Sequence, residues 1–105
     1  MFHRLIRTLD LYDGLRLPVR IGREELLLIH EEGDTWLVQR RCPHGDFALD
    51  RGSVHRGVLR CPGHGLEFAL NSGRCQENRS YCLRRYPLEF DGPWLGVSLN
   101  ATAGH

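Results

Sequence analysis

Two short segments of this chain carry almost the same sequence. Cys42-Pro43-His44-Gly45 is followed, with sixteen residues between His44 and the next Cys, by Cys61-Pro62-Gly63-His64-Gly65. A strand points alternate side chains to opposite faces, so a Cys and a His one or two residues apart reach one small site only from a tight loop. Proline and glycine supply that loop. Pro43 and Pro62 fix φ beside the candidate ligands. Gly45 and Gly65 permit a turn directly after each His, and let backbone N–H groups approach whatever the side chains hold. The fold must therefore bring two stiff loops, each with one thiolate and one imidazole, to the same place.

The rest of the chain reads as the frame for those loops. Short apolar or alternating runs recur at Phe2–Ile6, Leu15–Ile21, Glu25–His30 and Thr35–Gln39, then at Val58–Arg60, Leu66–Leu70, Leu83–Phe90 and Trp94–Leu99. Gly, Pro, Asp or Asn punctuate them, and Glu31-Glu32-Gly33-Asp34 and Phe90-Asp91-Gly92-Pro93 carry hairpin-turn chemistry. No window holds a 3.6-residue period for three turns. About eight such strands predict an all-β fold of antiparallel sheets, a sandwich or partly closed barrel. Gly22–Leu28 contains helix-forming residues, but its bare apolar run between Gly22 and Gly33 predicts a buried strand. With 105 residues and no linker or low-complexity stretch, the expectation is one domain over 1–105, with the ligand-bearing part at about 41–70.

Composition narrows the function classes. The net charge of +1 makes no electrostatic case for nucleic acid or a membrane surface as partner. All fourteen basic residues are arginine, a bias ascribed to the source genome. The N-terminal stretch has no apolar run of signal-peptide length, and no segment approaches the ~20 apolar residues of a membrane helix, which predicts a cytoplasmic protein. In that reducing compartment the four cysteines are expected as ligands or free thiols rather than disulfides.

Two metal centres take two Cys and two His. A tetrahedral zinc site is one. A Rieske [2Fe–2S] cluster, with the imidazoles on one iron and the thiolates on the other, is the second. Zinc motifs usually group Cys with Cys and His with His, whereas each loop here is mixed, and a mixed loop can straddle two metals.

Cys42-x-His44 and Cys61-x-x-His64 at this separation resemble the ligand motif of Rieske iron–sulfur proteins. The likeness extends through Cys61-Pro62-Gly63-His64-Gly65-Leu66-Glu67-Phe68, the Asn71-Ser72-Gly73 turn and the strand-rich frame, and so covers nearly the whole chain. The resemblance implies antiparallel sheets with a small cluster-binding subdomain. It implies Cys42 and Cys61 on one iron, His44 and His64 on the other, and imidazoles nearer the surface than the cysteines. High-potential Rieske proteins place a disulfide between the two loops and a hydroxyl two residues after the second His. The corresponding positions here are Phe47, Gly63 and Leu66. Without those donors the potential is expected in the lower part of the roughly −150 to +300 mV range.

A stand-alone, low-potential chain of this kind resembles the ferredoxin components of bacterial aromatic-ring oxygenase systems. That implies a one-electron carrier with no catalytic residues of its own, served by an NAD(P)H-dependent flavoprotein reductase and serving a terminal oxygenase or reductase. Those ferredoxins are usually acidic and carry prolines where Gln76–Tyr81 stands here, so the small subunit of an assimilatory nitrite reductase is a second reading. A structural zinc-binding module and a Rieske-fold subunit for assembly or regulation are further ones. His55 is expected in a solvated loop, with His3, His30 and His105 at the surface. Cys75 and Cys82 are expected as free thiols, and Trp36 and Trp94 in the core. Arg40, Arg41, Arg51, Arg56 and Arg60 flank the ligands as a solvated face or as a steering surface for an acidic partner.

Overall fold

The computed structural model describes residues 1–45 and 47–99. Ten strands run through them: β1 (Phe2–Arg7), β2 (Leu15–Ile21), β3 (Glu24–Glu31), β4 (Asp34–Gln39), β5 (Ser53–His55), β6 (Val58–Arg60), β7 (Glu67–Ala69), β8 (Arg85–Tyr86), β9 (Leu88–Asp91) and β10 (Trp94–Ser98). The only helical pieces among the described residues are two short 3₁₀ turns, Thr8–Asp10 and Leu49–Arg51. Among the described residues, no helix is long and apolar enough to cross a membrane.

The strands form three antiparallel sheets, in the orders β1-β10-β9, β2-β3-β4-β8 and β5-β6-β7. The middle strand β3 explains the puzzling run at Leu26–Ile29. Leu26 and Leu28 belong to a core with Leu15, Leu37, Leu95 and Val97, whereas Leu27 and Ile29 belong to a core with Val38, Leu59 and Phe68. All four are fully buried. A strand covered on both faces reads as a continuous apolar run and not as an alternation. At ~1.5–3 kcal/mol for each fully buried aliphatic side chain, this strand is the spine of the molecule.

The second core contains the site. It joins β3 and β4 to β6 and β7, and includes Cys42 and Cys61 beside Leu49, Leu59, Phe68, Leu70 and Leu83. Tight turns set the registers. Glu32-Gly33 and Arg56-Gly57 both have two consecutive positive φ values, the left-handed pair that matches the twist of a two-residue hairpin. The sequence points to the first of these turns and misses the second, since Ser53-Val54-His55 offers only one apolar side chain. His55 accordingly ends a strand, although its side chain is exposed as expected.

Three other expectations change. The run Leu83–Phe90 is split into β8 and β9 at Pro87, which has no N–H to give to a ladder. His30 is half-buried, its Nδ1 2.6 Å from the Thr35 hydroxyl on the paired strand, and His3 is also half-buried; His105 lies outside the described residues. Trp94 is not in either core. It lies half-buried with the guanidiniums of Arg4 and Arg7 at 5.2 and 5.4 Å from the ring centroid, on the outer face of β1 and β10. Trp36 does pack against the second core, and its Nε1 donates to Asn71 at 2.9 Å.

Candidate metal centre

The doubled sequence is a doubled structure. In the first loop the Cys42 N–H donates to the Phe47 carbonyl at 2.7 Å, and in the second the Cys61 N–H donates to the Leu66 carbonyl at 2.8 Å. Both loops are thus closed by the same bond, from the Cys to the fifth residue after it. The first is sealed further by the Arg41–Ala48 bridge and by two bonds of 3.0 Å from the Arg40 guanidinium to the Asp50 carboxylate. The second joins β6 to β7, and a Gly65 N–H to Cys61 carbonyl bond of 3.0 Å tightens it. Gly65 has φ +73, a conformation glycine takes without strain.

This closure brings like side chains together. Cys42 and Cys61 are 2% and 1% exposed, at the floor of the site. Burial pushes the Cys42 thiol up, and the neighbouring Cys61 sulfur pushes the same way, against the backbone N–H groups of His44 and Gly45. Those two amides point at the sulfur, where they favour the thiolate a metal requires. Above the floor the His44 and His64 rings meet edge to face with centroids 4.4 Å apart. His64 is exposed and His44 half-buried.

The donor set fits an iron–sulfur cluster. The Nδ1 of His44 is buried without a hydrogen-bond partner, a costly arrangement for a ring nitrogen unless something binds there. Among the described residues, no three His, Cys, Asp or Glu side chains converge as they would around a single ion. A tetrahedral zinc site needs that convergence. A two-iron cluster takes instead a pair of sulfurs and a pair of nitrogens, and the site offers two buried sulfurs and two imidazole rings in contact with each other.

Comparison with known proteins decides the family. The family model for the Rieske [2Fe–2S] domain matches residues 2–87. The chain belongs to the Rieske family. Its cofactor is accordingly a Rieske-type [2Fe–2S] cluster. The ferredoxin component of the alkene monooxygenase system of Xanthobacter autotrophicus is 32% identical over 84 residues, 79% of this chain and 69% of that one. The ferredoxin component of biphenyl 2,3-dioxygenase of Rhodococcus jostii is 30% identical over 91 residues, 86% of this chain and 85% of that one. A solved structure described as a putative NADH-dependent nitrite reductase small subunit from Mycobacterium tuberculosis superposes with a TM-score of 0.83 at 19% identity, covering 97% of each chain. At that identity the likeness is one of fold.

Within this Rieske domain two aromatic residues complete the site, and sequence reasoning missed both roles. Phe47 stands opposite Gly63, the pair of positions expected to lack a disulfide. A Cβ on Gly63 would lie 2.5 Å from the Phe47 ring, so the ring rests directly on the glycine, and it also meets His64 at 5.2 Å between centroids. Tyr81 meets His44 edge to face at 5.5 Å. The proline-free segment Gln76–Tyr81 therefore does cover the site, held by Glu77, whose carboxylate accepts the Glu67 N–H at 2.9 Å. Leu66 packs half-buried against the core and supplies only its backbone carbonyl to the loop. Cys75 is buried and Cys82 exposed, and both are free thiols.

Proposed function

We propose that this Rieske protein is a cytoplasmic one-electron carrier that holds its cluster on Cys42, His44, Cys61 and His64. In this reading it takes electrons from an NAD(P)H-dependent flavoprotein reductase and delivers them to a terminal oxygenase. The observation that carries the proposal is the layering of the site, with two buried sulfurs beside two touching imidazoles, of which His64 is exposed and His44 half-buried. When bound, the cluster takes up and returns one electron without a bond being made or broken in the protein. The protein's own residues do the rest. Cys42 and Cys61 keep the sulfur side away from water, the amides of His44 and Gly45 stabilise thiolate charge, and Phe47 and Tyr81 shield the flanks of the two rings. His64 marks the place where a docked partner comes nearest the ligands.

The oxygenase assignment is favoured over the nitrite reductase subunit by sequence rather than shape. Two relatives that span more than three quarters of this chain, at 32% and 30% identity, are ferredoxin components of oxygenase systems. The cytoplasmic assignment draws on the four cysteines, none of which forms a disulfide. The test is iron and acid-labile sulfide analysis with redox titration. The expected protein is brown, with near-equal iron and sulfide and a midpoint below about +100 mV, in the lower part of the Rieske window. His64→Cys should change the cluster's spectrum and lower its potential. A colourless protein with one zinc would overturn the reading, and an unchanged spectrum in His64→Cys would remove His64 from the ligand set.

A further inference from the structure

The open side of His64 is bordered by an unusual distribution of charge. A concavity of about 470 Å³ beside the second loop is lined by Arg51, Ser53, Arg60, Pro62 and His64. It continues past Ser53 and Arg60 into a second hollow lined by His55, Arg56, Glu67 and Gln76. Three guanidiniums therefore face one carboxylate along a groove that starts at the exposed imidazole.

The other carboxylates nearby are already committed. Asp50 is held by Arg40, Glu25 by Arg40 and Arg41, and Glu32 by the Arg56 N–H and His55. Glu77 accepts the Glu67 N–H and feels Arg60 only at longer range. No described carboxylate pairs with the guanidinium of Arg51 or Arg60. The exposed Arg60 guanidinium lies over Gly65, where a Cβ would stand 3.0 Å from Nη2. On the opposite side of the site, the cleft beside Cys42 and Pro43 is mixed in charge, with Arg23, Arg41 and Arg84 facing Glu24 and Glu25. There Glu25 pairs with Arg41, and Glu24 accepts from the Tyr86 hydroxyl.

We infer that the redox partner docks with a carboxylate-bearing protein face on the groove beside His64, with Arg51 and Arg60 as its anchoring contacts. The inference rests on the carrier reading above. Bulk charge gives no help to such docking. The chain carries +1, the oxidised cluster with its two thiolates is neutral, and one-electron reduction leaves the whole molecule without net charge. Any steering of the reduced protein is then local, and these arginines are its source. Three guanidiniums are too few to track a nucleic-acid backbone, where each neutralised phosphate contributes to binding. Arginine's planar fork instead suits bidentate pairing with carboxylates.

The test uses the reduced holoprotein and small oxidants of opposite charge. Ferricyanide takes one electron and becomes ferrocyanide as the cluster returns to its oxidised state; tris(phenanthroline)cobalt(III) takes one electron and becomes the cobalt(II) complex. Stopped-flow oxidation by ferricyanide should slow with rising salt, although the protein has no net charge, while oxidation by the cobalt complex should not. Arg51→Glu with Arg60→Glu should slow ferricyanide by about tenfold at low salt and reverse the salt dependence. Arg51→Lys with Arg60→Lys should keep it. Because Arg60 touches the second loop, Arg51→Glu alone is measured as well, with the visible spectrum confirming an intact cluster. Poly-L-glutamate should protect the wild type from ferricyanide and leave the double glutamate variant unprotected. Identical salt dependence in wild type and both glutamate variants would overturn the docking surface, and so would stronger protection by a DNA oligonucleotide. Failure of the carrier reading looks different: no variant, wild type included, could be reduced and reoxidised at all.

Discussion

The two Cys/His loops are built alike and exposed differently. Each is closed by a bond from its Cys N–H to the carbonyl five residues on, and each sends its sulfur into the same core. Yet His44 is half-buried against Tyr81, while His64, which also meets the His44 ring, is exposed and flanked by Phe47. The first loop is clamped by an Arg40–Asp50 fork; the second opens onto a groove with uncommitted arginines. Matching closure sends both sulfurs into one core, and unequal cover makes access to the two imidazoles one-sided. An electron carrier needs both, because a rigid centre keeps reorganisation small and a single open edge selects where partners meet it.

The strongest way to break this asymmetry is at the root of the cover on His44. The segment that carries Tyr81 springs from Gly73, which has φ +82 and whose carbonyl accepts the Leu83 N–H at 2.7 Å. A Cβ there would stand 2.2 Å from the Leu83 carbonyl oxygen, which is backbone and has nowhere to go. Gly73→Ala should therefore cost about 3 kcal/mol in chemical denaturation, combining left-handed strain with overpacking. Gly63→Ala is the matched control in the other cover. Its Cβ would meet the Phe47 ring, a side chain 42% exposed and not backbone, so the loss should be under about 1 kcal/mol. Equal losses would show that Phe47 is as firmly seated as backbone.

Truncating the covers themselves should have a middling effect, and opposite consequences for the two imidazoles. Tyr81→Ala removes a half-buried ring packed against the core and should destabilise by about 2 kcal/mol while raising the reactivity of His44 toward diethylpyrocarbonate in the metal-free protein. Phe47→Ala removes a more exposed ring and should lose about 1 kcal/mol, with the change in reactivity confined to His64. If either substitution altered both rings equally, the two covers would not be independent.

The paired Cys/His loops were legible in the sequence because Cys, His, Pro and Gly there each answer a local demand. The strands were legible where one side chain in two, or every side chain, meets a core: Leu26–Ile29 could be read as a buried strand because both of its faces are covered. What could not be read depends on partners distant in the chain. Tyr81 sits in a segment with no pattern of its own, and only its fold back over His44 gives it a role. Phe47 could be seen as a missing cysteine but not as a ring lying on Gly63. Trp94 lies half-buried outside both cores with Arg4 and Arg7 of the neighbouring strand against its ring, and no local rule announces that. Ser53–His55 is too short for a period to show.

The smallest expected effect concerns the pin under the first cover. Glu77 is held below the usual carboxylate range, chiefly by the Glu67 N–H. A group whose folded pKa is depressed contributes stability that is present above its unfolded pKa and lost as pH falls through the folded one. The segment 76–81 should therefore loosen at the acid end, below the ordinary glutamate range, while the sheets remain ordered. Glu77→Gln keeps an acceptor for the Glu67 N–H but removes the charge, so it should abolish this local acid transition without moving the global one. Amide hydrogen exchange at Glu67 and across residues 76–81 reads it directly. Unchanged acid loosening in Glu77→Gln would assign the transition to another carboxylate, and the cover on His44 would then be held by packing of Tyr81 and by backbone bonds such as that from the Gln76 N–H to the Glu67 carbonyl at 2.8 Å.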